Sequence, residues 1–203
     1  MISILYDIFK SWSAKGSVYI YSDPHFGDAE SFEFRKANGK LPEDVEYSEV
    51  LDYYQIKSIN KYVHKTDTLI CLGDVGDIEQ VKKLKAGHKV LILGNHDRGA
   101  EYYKEVFDEV YSGPLMISDK IILSHEPIIP CPDYLVNLCG HVHAKAHKFK
   151  VKKIQYYNFC AEAINYKPVS LGELIKNGLL SKVKDIHRVT VDGAIVRKAK
   201  KNK

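Results

Sequence analysis

The sequence predicts a layered α/β fold, and three observations predict it. Short apolar runs of strand length recur along the chain, helical spacing separates the first of them, and five motifs rich in Asp, Asn and His begin where such runs stop. With 203 residues the chain is long enough for one domain with a substantial core and a little short for two. A single domain over residues 1–203 is therefore expected.

The elements follow in order. Ile2, Leu5, Phe9 and Trp12 form one helical stripe, read as core packing before a dimer contact. VYIYS at 18–22 reads as a buried strand, as do TLICLG at 68–73, KVLILG at 89–94 and IILSH at 121–125, with LVNLCG at 135–140 a weaker fifth. Ser48 to Val63 carries Val50, Leu51, Tyr54, Ile59 and Val63 at helical spacing. A second helix is expected over 78–86, with Asp77 as its N-cap, and a third over 100–107. Asp192-Gly193 between β-branched runs predicts a hairpin over 189–198, followed by a solvated basic tail at about 198–203. Two segments admit two readings. The polar stretch 28–49, with Gly39 and Pro42, either folds over a site and offers Arg35 or Lys36 to a substrate phosphate, or is a surface excursion. In AKAHKFKVKK, 144–153, alternating lysines either form a basic wall or protect an exposed edge strand, the latter being preferred.

Composition narrows the function classes. Hydrophobic residues are 45% and charged residues 28%, ordinary for a soluble globular protein. No apolar run approaches the roughly 20 residues that span a bilayer, so no membrane partner is expected. The opening MISILYDIFKSW has neither a basic leader nor a small-residue cleavage site, and a cytoplasmic location is expected. Of four cysteines, none forms a C-x-x-C pair, and Cys71 and Cys139 read as reduced core thiols. The net charge of +4 permits an anionic substrate without demanding nucleic acid.

Histidine is more telling. Five of the nine lie in SDPHFG (22–27), LGDVGD (72–77), GNHD (94–97), LSHEP (123–127) and GHVH (140–143) or at their edges: His25, His96, His125, His141 and His143. In α/β sheets the crevice beyond the carboxyl ends of the strands is where ligands bind. Asp23, His25, Asp74, Asn95, His96, His125, His141 and His143 are thus expected to converge on one sheet edge. With His96 set aside, two carboxylates, an amide oxygen and four imidazoles suit Mn²⁺, Zn²⁺, Fe or Ni²⁺ better than a structural zinc or a calcium site. Seven ligands are too many for one such ion that must also hold water, and they suit two ions sharing a carboxylate. Such a pair, about 3.5–4 Å apart, activates water and holds both oxygens of an in-line displacement at phosphorus. Gly73, Gly94 and Gly140 are expected to let the backbone turn off each strand, and Pro24 to stiffen the first turn.

The ordered set Asp23-Pro24-His25, Gly73-Asp74, Gly94-Asn95-His96-Asp97, His125 and Gly140-His141-Val142-His143 resembles the calcineurin-like metallophosphoesterase family, over about residues 18–143. SDPHFG and AINYKPVSL (163–171) resemble a compact bacterial or phage branch of it. The resemblance implies a four-layer α/β/β/α sandwich of mixed sheets flanked by helices, and a dinuclear metal-dependent phosphoesterase. It implies that Asp23, His25 and His143 hold one ion, that Asn95, His125 and His141 hold the other, and that Asp74 bridges them. Mn²⁺ is the foremost expectation, with Fe, Zn²⁺ or Ni²⁺ as alternatives. A hydroxide bridging the ions would attack phosphorus. His96 would protonate the leaving oxygen or stabilise phosphoryl charge, and Asp97 would orient His96 or fix the turn. A small phosphorylated substrate such as a nucleotide is favoured over long DNA, with monoester and diester both open. Two other functions compete. Some proteins of this fold are binding scaffolds with weakened catalysis, but the scaffold type lacks the histidine of G-N-H-D. A nuclease or 2′,3′-cyclic phosphodiesterase acting on RNA ends would need a basic groove with exposed aromatics beside the metals. The 14 tyrosines show no clear stacking pattern in sequence.

Overall fold

Strands buried on both faces need cover on both sides, and here a second sheet supplies one of the covers. The computed structural model describes residues 16–117, 121–129, 136–144, 146–151, 154–177 and 194–197. Strands β1 (Val18–Tyr21), β2 (Thr68–Cys71), β3 (His88–Ile92) and β4 (Glu109–Tyr111) run parallel. In a second sheet, β6 (Ile121–Leu123), β7 (Val136–Cys139) and β9 (Ile154–Asn158) are parallel, with β5 (Leu115–Met116) and β8 (Lys148–Val151) antiparallel at its edges. β10 (Val169–Ser170) and β11 (Ala194–Arg197) close the first sheet antiparallel, giving the order β10-β1-β2-β3-β4-β11. The second sheet has the order β5-β6-β7-β9-β8.

One hydrophobic core joins the two sheets. It takes Leu69, Ile70, Val90 and Leu91 from the first and Leu123, Val136 and Leu138 from the second. An isolated parallel bridge, Ser22 to Cys160, couples the sheets just past the ends of β1 and β9. Helix α1 (Ala29–Ala37) contributes Phe32 to this core, and α2 (Ser48–Tyr62) contributes Leu51, Ile56 and Ile59. The second sheet also carries a smaller cluster of Ile122, Cys139, Ile154 and Tyr156, packed against Ile128, Phe149 and Val151. No described helix is long and apolar enough to cross a membrane.

The expected strands and the helix over 48–63 are present within a residue or two at their ends. The other two helices are shorter. α3 spans Ile78–Val81, because the Asn60 side chain accepts from the Lys85 amide and donates to the Lys83 carbonyl, drawing the chain out of the helix. α4 spans Ala100–Tyr103 and then turns, burying Val106 and Phe107. Asp77 caps α3 by accepting from the Glu79 amide. The 28–49 segment is part helix and part surface turns. Its first part is α1, capped by the Asp28 carboxylate on the Glu30 and Ser31 amides. The helical stripe Ile2–Trp12, the terminal tail, and the first arm and turn of the expected 189–198 hairpin lie outside the described residues; Ala194–Arg197 form β11, which pairs with β4.

β8 is an edge strand, with Lys148 and Lys150 exposed and Phe149 and Val151 turned partly inward. Charged side chains on such an edge discourage pairing with another chain. Replacing both lysines with valine is expected to produce concentration-dependent association in light scattering. A variant that stays monodisperse at every concentration would mean that the lysines do not guard this edge.

Candidate metal centre

The loops that leave β1, β2 and β7 are strained at the residues of interest. Asp23, His25, Asp74 and His141 have φ of 54°, 49°, 52° and 63°. Such left-handed backbone costs a non-glycine residue roughly 1–3 kcal/mol and persists only where the surroundings over-determine it. Here the surroundings do. The Asp23 amide donates to Gly73 O at 3.0 Å and the His25 amide to Asp74 O at 3.0 Å, so the first two loops zip together. The Asp97 carboxylate ties in the third, accepting from the amides of Asp74, Val75 and Gly94 at 2.8–2.9 Å and from the Tyr103 hydroxyl at 2.7 Å. The His141 amide donates to Asp23 Oδ2 at 3.0 Å, which brings the second sheet's loop to the first.

This clasp aims lone pairs at lone pairs. His125 Nδ1 lies 2.8 Å from Leu72 O, an atom that only accepts, so the proton sits on Nδ1. His125 Nε2 then faces Asn95 Oδ1 at 2.8 Å, His141 Nδ1 at 3.2 Å and Asp74 Oδ2 at 3.3 Å. His141 Nδ1 also lies 3.0 Å from Asn95 Oδ1. His25 repeats the pattern. Its Nδ1 meets Asp28 Oδ2 at 3.0 Å, while Nε2 is buried, without a hydrogen-bond partner, and 3.6 Å from Asp74 Oδ2. His143 does the same, with Nδ1 on Glu162 Oε1 at 2.7 Å and Nε2 at 3.4 Å from Asp23 Oδ1. An outward ring N–H on a carboxylate or carbonyl, leaving the other nitrogen bare, is the arrangement of metal-ligating histidines.

The electrostatics agree with a cation at this place. Burial pushes the His125 pKa down, yet its hydrogen bond to Asp74 and the charges of Asp23 and Asp74 lift it to about 9. The pocket therefore favours positive charge at His125 Nε2. Burial, then the Arg35 charge, holds His25 below its ordinary pKa. That leaves its buried Nε2 bare. Among the described residues, three groups have ligand atoms within 4.8 Å of one another: Asp23, His25 and Asp74; Asp74, His125 and His141; and Asp23, His143 and Cys160. Asp74 belongs to the first two, and the Asn95 oxygen adjoins the second. The donors thus fit divalent ions, in two neighbouring groups that meet at Asp74.

His96 stands apart from both groups. Its amide donates to Asp74 Oδ1 at 2.8 Å, and its exposed ring lies edge-on to His25 with centroids 5.5 Å apart. Asp97 is committed to the loop contacts given above, and a hydrogen bond to the His96 ring is not among them. Arg35 corrects an expectation. It is fully buried and cannot reach a substrate phosphate. Its guanidinium donates to Asp23 O at 2.5 Å and Pro24 O at 3.4 Å, and pairs with Glu162 Oε2 at 3.4 Å. The cause is α1, which turns Arg35 under the first loop.

Sequence reasoning missed Asp28, Cys160 and Glu162. Burial pushes the Glu162 carboxyl up, but the His143 hydrogen bond and the Arg35 charge outweigh it and hold it at about 2. A signal was available: IQYYN forms β9, and Cys160 and Glu162 follow its end as the other site residues follow theirs. The glycines also act differently than expected. Gly73 has φ of 102° and does make a turn, whereas a Cβ on Gly94 or Gly140 would collide with the Asp74 or Asp23 carboxylate. Close approach, not a sharp turn, requires glycine at those two positions.

No family model matches the chain. It is 29% identical over 174 residues to the uncharacterized protein MJ1445 of Methanocaldococcus jannaschii, covering 78% of this chain and 89% of that protein. The crystal structure of AQ665 from Aquifex aeolicus, a protein of unknown function, is similar with a TM-score of 0.61 and 26% identity, covering 79% of this chain and 98% of that one. The mixed α/β fold is shared with that protein. A nuclease, MPE of Pseudomonas putida, matches more distantly, with a TM-score of 0.41, 19% identity, and coverage of 73% and 75%.

Arg35 supports both the strained first loop and the carboxylate behind His143. Breaking a buried ion pair by removing one partner costs about 3–5 kcal/mol. Arg35→Ala is expected to lose that much in urea unfolding of metal-free protein. A loss under about 1 kcal/mol, the scale of an exposed pair, would contradict the buried support role.

Proposed function

We propose that the protein is a dinuclear metal-dependent phosphoesterase, in a single four-layer α/β/β/α domain. The observation that carries this is the orientation of His25, His125 and His143: each ring engages an acceptor on its outer side and turns its other nitrogen toward Asp23 or Asp74. Asp23, His25 and His143 would hold one ion, Asn95, His125 and His141 the other, and Asp74 is placed to contribute to both. When bound, such ions lower the pKa of water to make a nucleophile and offset the charge that develops on phosphorus. Mn²⁺ fits the mixed oxygen and imidazole set, as do Fe, Zn²⁺ and Ni²⁺. The substrate is a phosphoester, at its smallest a phosphorylated small molecule or nucleotide, and buried thiols at Cys71, Cys139 and Cys160 suit a reducing cytoplasm.

The chain's own residues divide the remaining work. His96 reaches solvent directly beside His25, where its ring can donate a proton to the departing oxygen. Asp97 is a positioning residue, because it locks the Asp74, Val75 and Gly94 amides into one frame. Asp28, Leu72 and Glu162 fix the ring orientations of His25, His125 and His143.

The test is reconstitution of chelated protein with Mn²⁺, followed by elemental analysis and assay on p-nitrophenyl mono- and diesters. Two ions per chain and hydrolysis of at least one ester are expected. At most one ion at saturation would overturn the two-ion reading. His96→Ala should keep both ions and lose roughly 10²–10⁴-fold in rate, the usual contribution of general acid–base catalysis. That loss should shrink for substrates with good leaving groups. Loss of an ion in this variant would make His96 a ligand instead.

A further inference from the structure

Two hollows that share Tyr54 and Asn165 form a groove along α2. Its upper hollow, about 430 Å³, is lined by Lys40, Glu43, Tyr54, Glu162 and Tyr166 among others. Two of its lining residues touch His143: Glu162 holds the His143 ring, and the Lys40 ammonium donates to the His143 carbonyl. Tyr54 and Asn165 also line a second and larger hollow of about 850 Å³. The second hollow carries Lys57, Lys61, Lys85 and Lys167 and no carboxylate among its lining residues. None of these four lysines is in an ion pair among the described residues. Tyrosines interleave with them. Lys57 lies 5.9 Å from the Tyr53 ring, and Lys61 and Lys167 lie 5.6 and 4.7 Å from the Tyr62 ring. Tyr53 is 65% and Tyr54 39% exposed.

We infer that this groove binds a single-stranded nucleic acid and feeds its backbone to the metal centre, an inference that rests on the phosphoesterase reading. Unpaired lysines supply a sequence-independent attraction for successive phosphates, and exposed aromatic faces supply platforms on which bases stack. An acidic peptide would use the lysines but gain little from the tyrosines. From Tyr53 to Tyr62 the helix rises about 13 Å at 1.5 Å per residue, enough for a few nucleotides beyond the reacting phosphate. In the upper hollow Glu162 is committed to His143 and Arg35, which leaves Glu43 opposing Lys40 there. The strand therefore gains its main hold in the second hollow, away from the metals.

The test uses the full chain with a labelled, cleavage-resistant phosphorothioate oligonucleotide of about 12 nucleotides, within the range of sites that track single strands. Oligo-dT and oligo-rU are compared by fluorescence anisotropy. The wild type is expected to bind at least one of them, and Lys57→Glu with Lys61→Glu to weaken binding at least tenfold. The salt dependence should flatten by roughly 1.4 in log–log slope for two lost phosphate contacts. Tyr53→Ala should weaken binding several-fold without altering that slope. Hydrolysis of bis(p-nitrophenyl) phosphate should be unchanged in all these variants, which also shows that they fold. No oligonucleotide binding, equal binding by the charge-reversed variant, or equally effective displacement by polyglutamate of matched charge would overturn the assignment. Binding as expected by a protein that hydrolyses no phosphoester would uphold the groove and remove the phosphoesterase reading instead.

Discussion

The arrangement depends on one electrostatic constraint: acceptor atoms point at one another in a partly buried space. Asp74 Oδ2, His125 Nε2, Asn95 Oδ1 and His141 Nδ1 crowd together, and the bare His25 Nε2 faces the same carboxylate from the other side. Buried polar atoms without partners cost on the order of 1–3 kcal/mol each, and more for charged ones. A chain that builds such a cluster needs either protons or cations to balance it. The outer hydrogen bonds decide how many protons are available. Leu72 O and the carboxylates of Asp28 and Glu162 accept from Nδ1 of three rings, which turns the other nitrogen of each toward the Asp23 or Asp74 carboxylate.

Holding that cluster in place explains features that otherwise look unrelated. Four of the site residues sit in left-handed backbone, and the surrounding hydrogen bonds keep them there. Asp97 frames the second and third loops, while Arg35 and Gln55 hold the first from beneath, Gln55 donating to Pro24 O at 3.0 Å. Arg35 also reaches across to Glu162, so one buried cation links the first loop to the support of His143. The two sheets carry different parts of the site: Asp23, Asp74 and Asn95 follow strands of the first, and His125, His141 and His143 follow strands of the second. Their common core is therefore what sets the distance between the carboxylates and three of the four imidazoles.

Much of this was legible in the sequence because strand ends announce themselves. VYIYS, TLICLG, KVLILG and IILSH are apolar and β-branched, and each is followed by a polar group that has no reason to be buried unless it serves a site. Residues that act through tertiary contact were not legible. Arg35 sits in a polar, charged segment that reads as surface, and only the path of α1 beneath the first loop shows it to be buried. Glu162 lies 19 positions after the histidine it holds. The lysines and tyrosines of the groove come from the turn after α1, from α2, from the turn after α3 and from the segment after the 3₁₀ turn Ala161–Ile164, so their grouping has no counterpart in a linear pattern.

Crystals grown in Mn²⁺ and measured at an energy where manganese scatters anomalously would test the central claim most directly. Two separate anomalous peaks are predicted, one beside Asp23, His25 and His143, the other beside Asn95, His125 and His141, with Asp74 in contact with both. A single peak, or no peak next to the buried nitrogen of His25, would contradict the account.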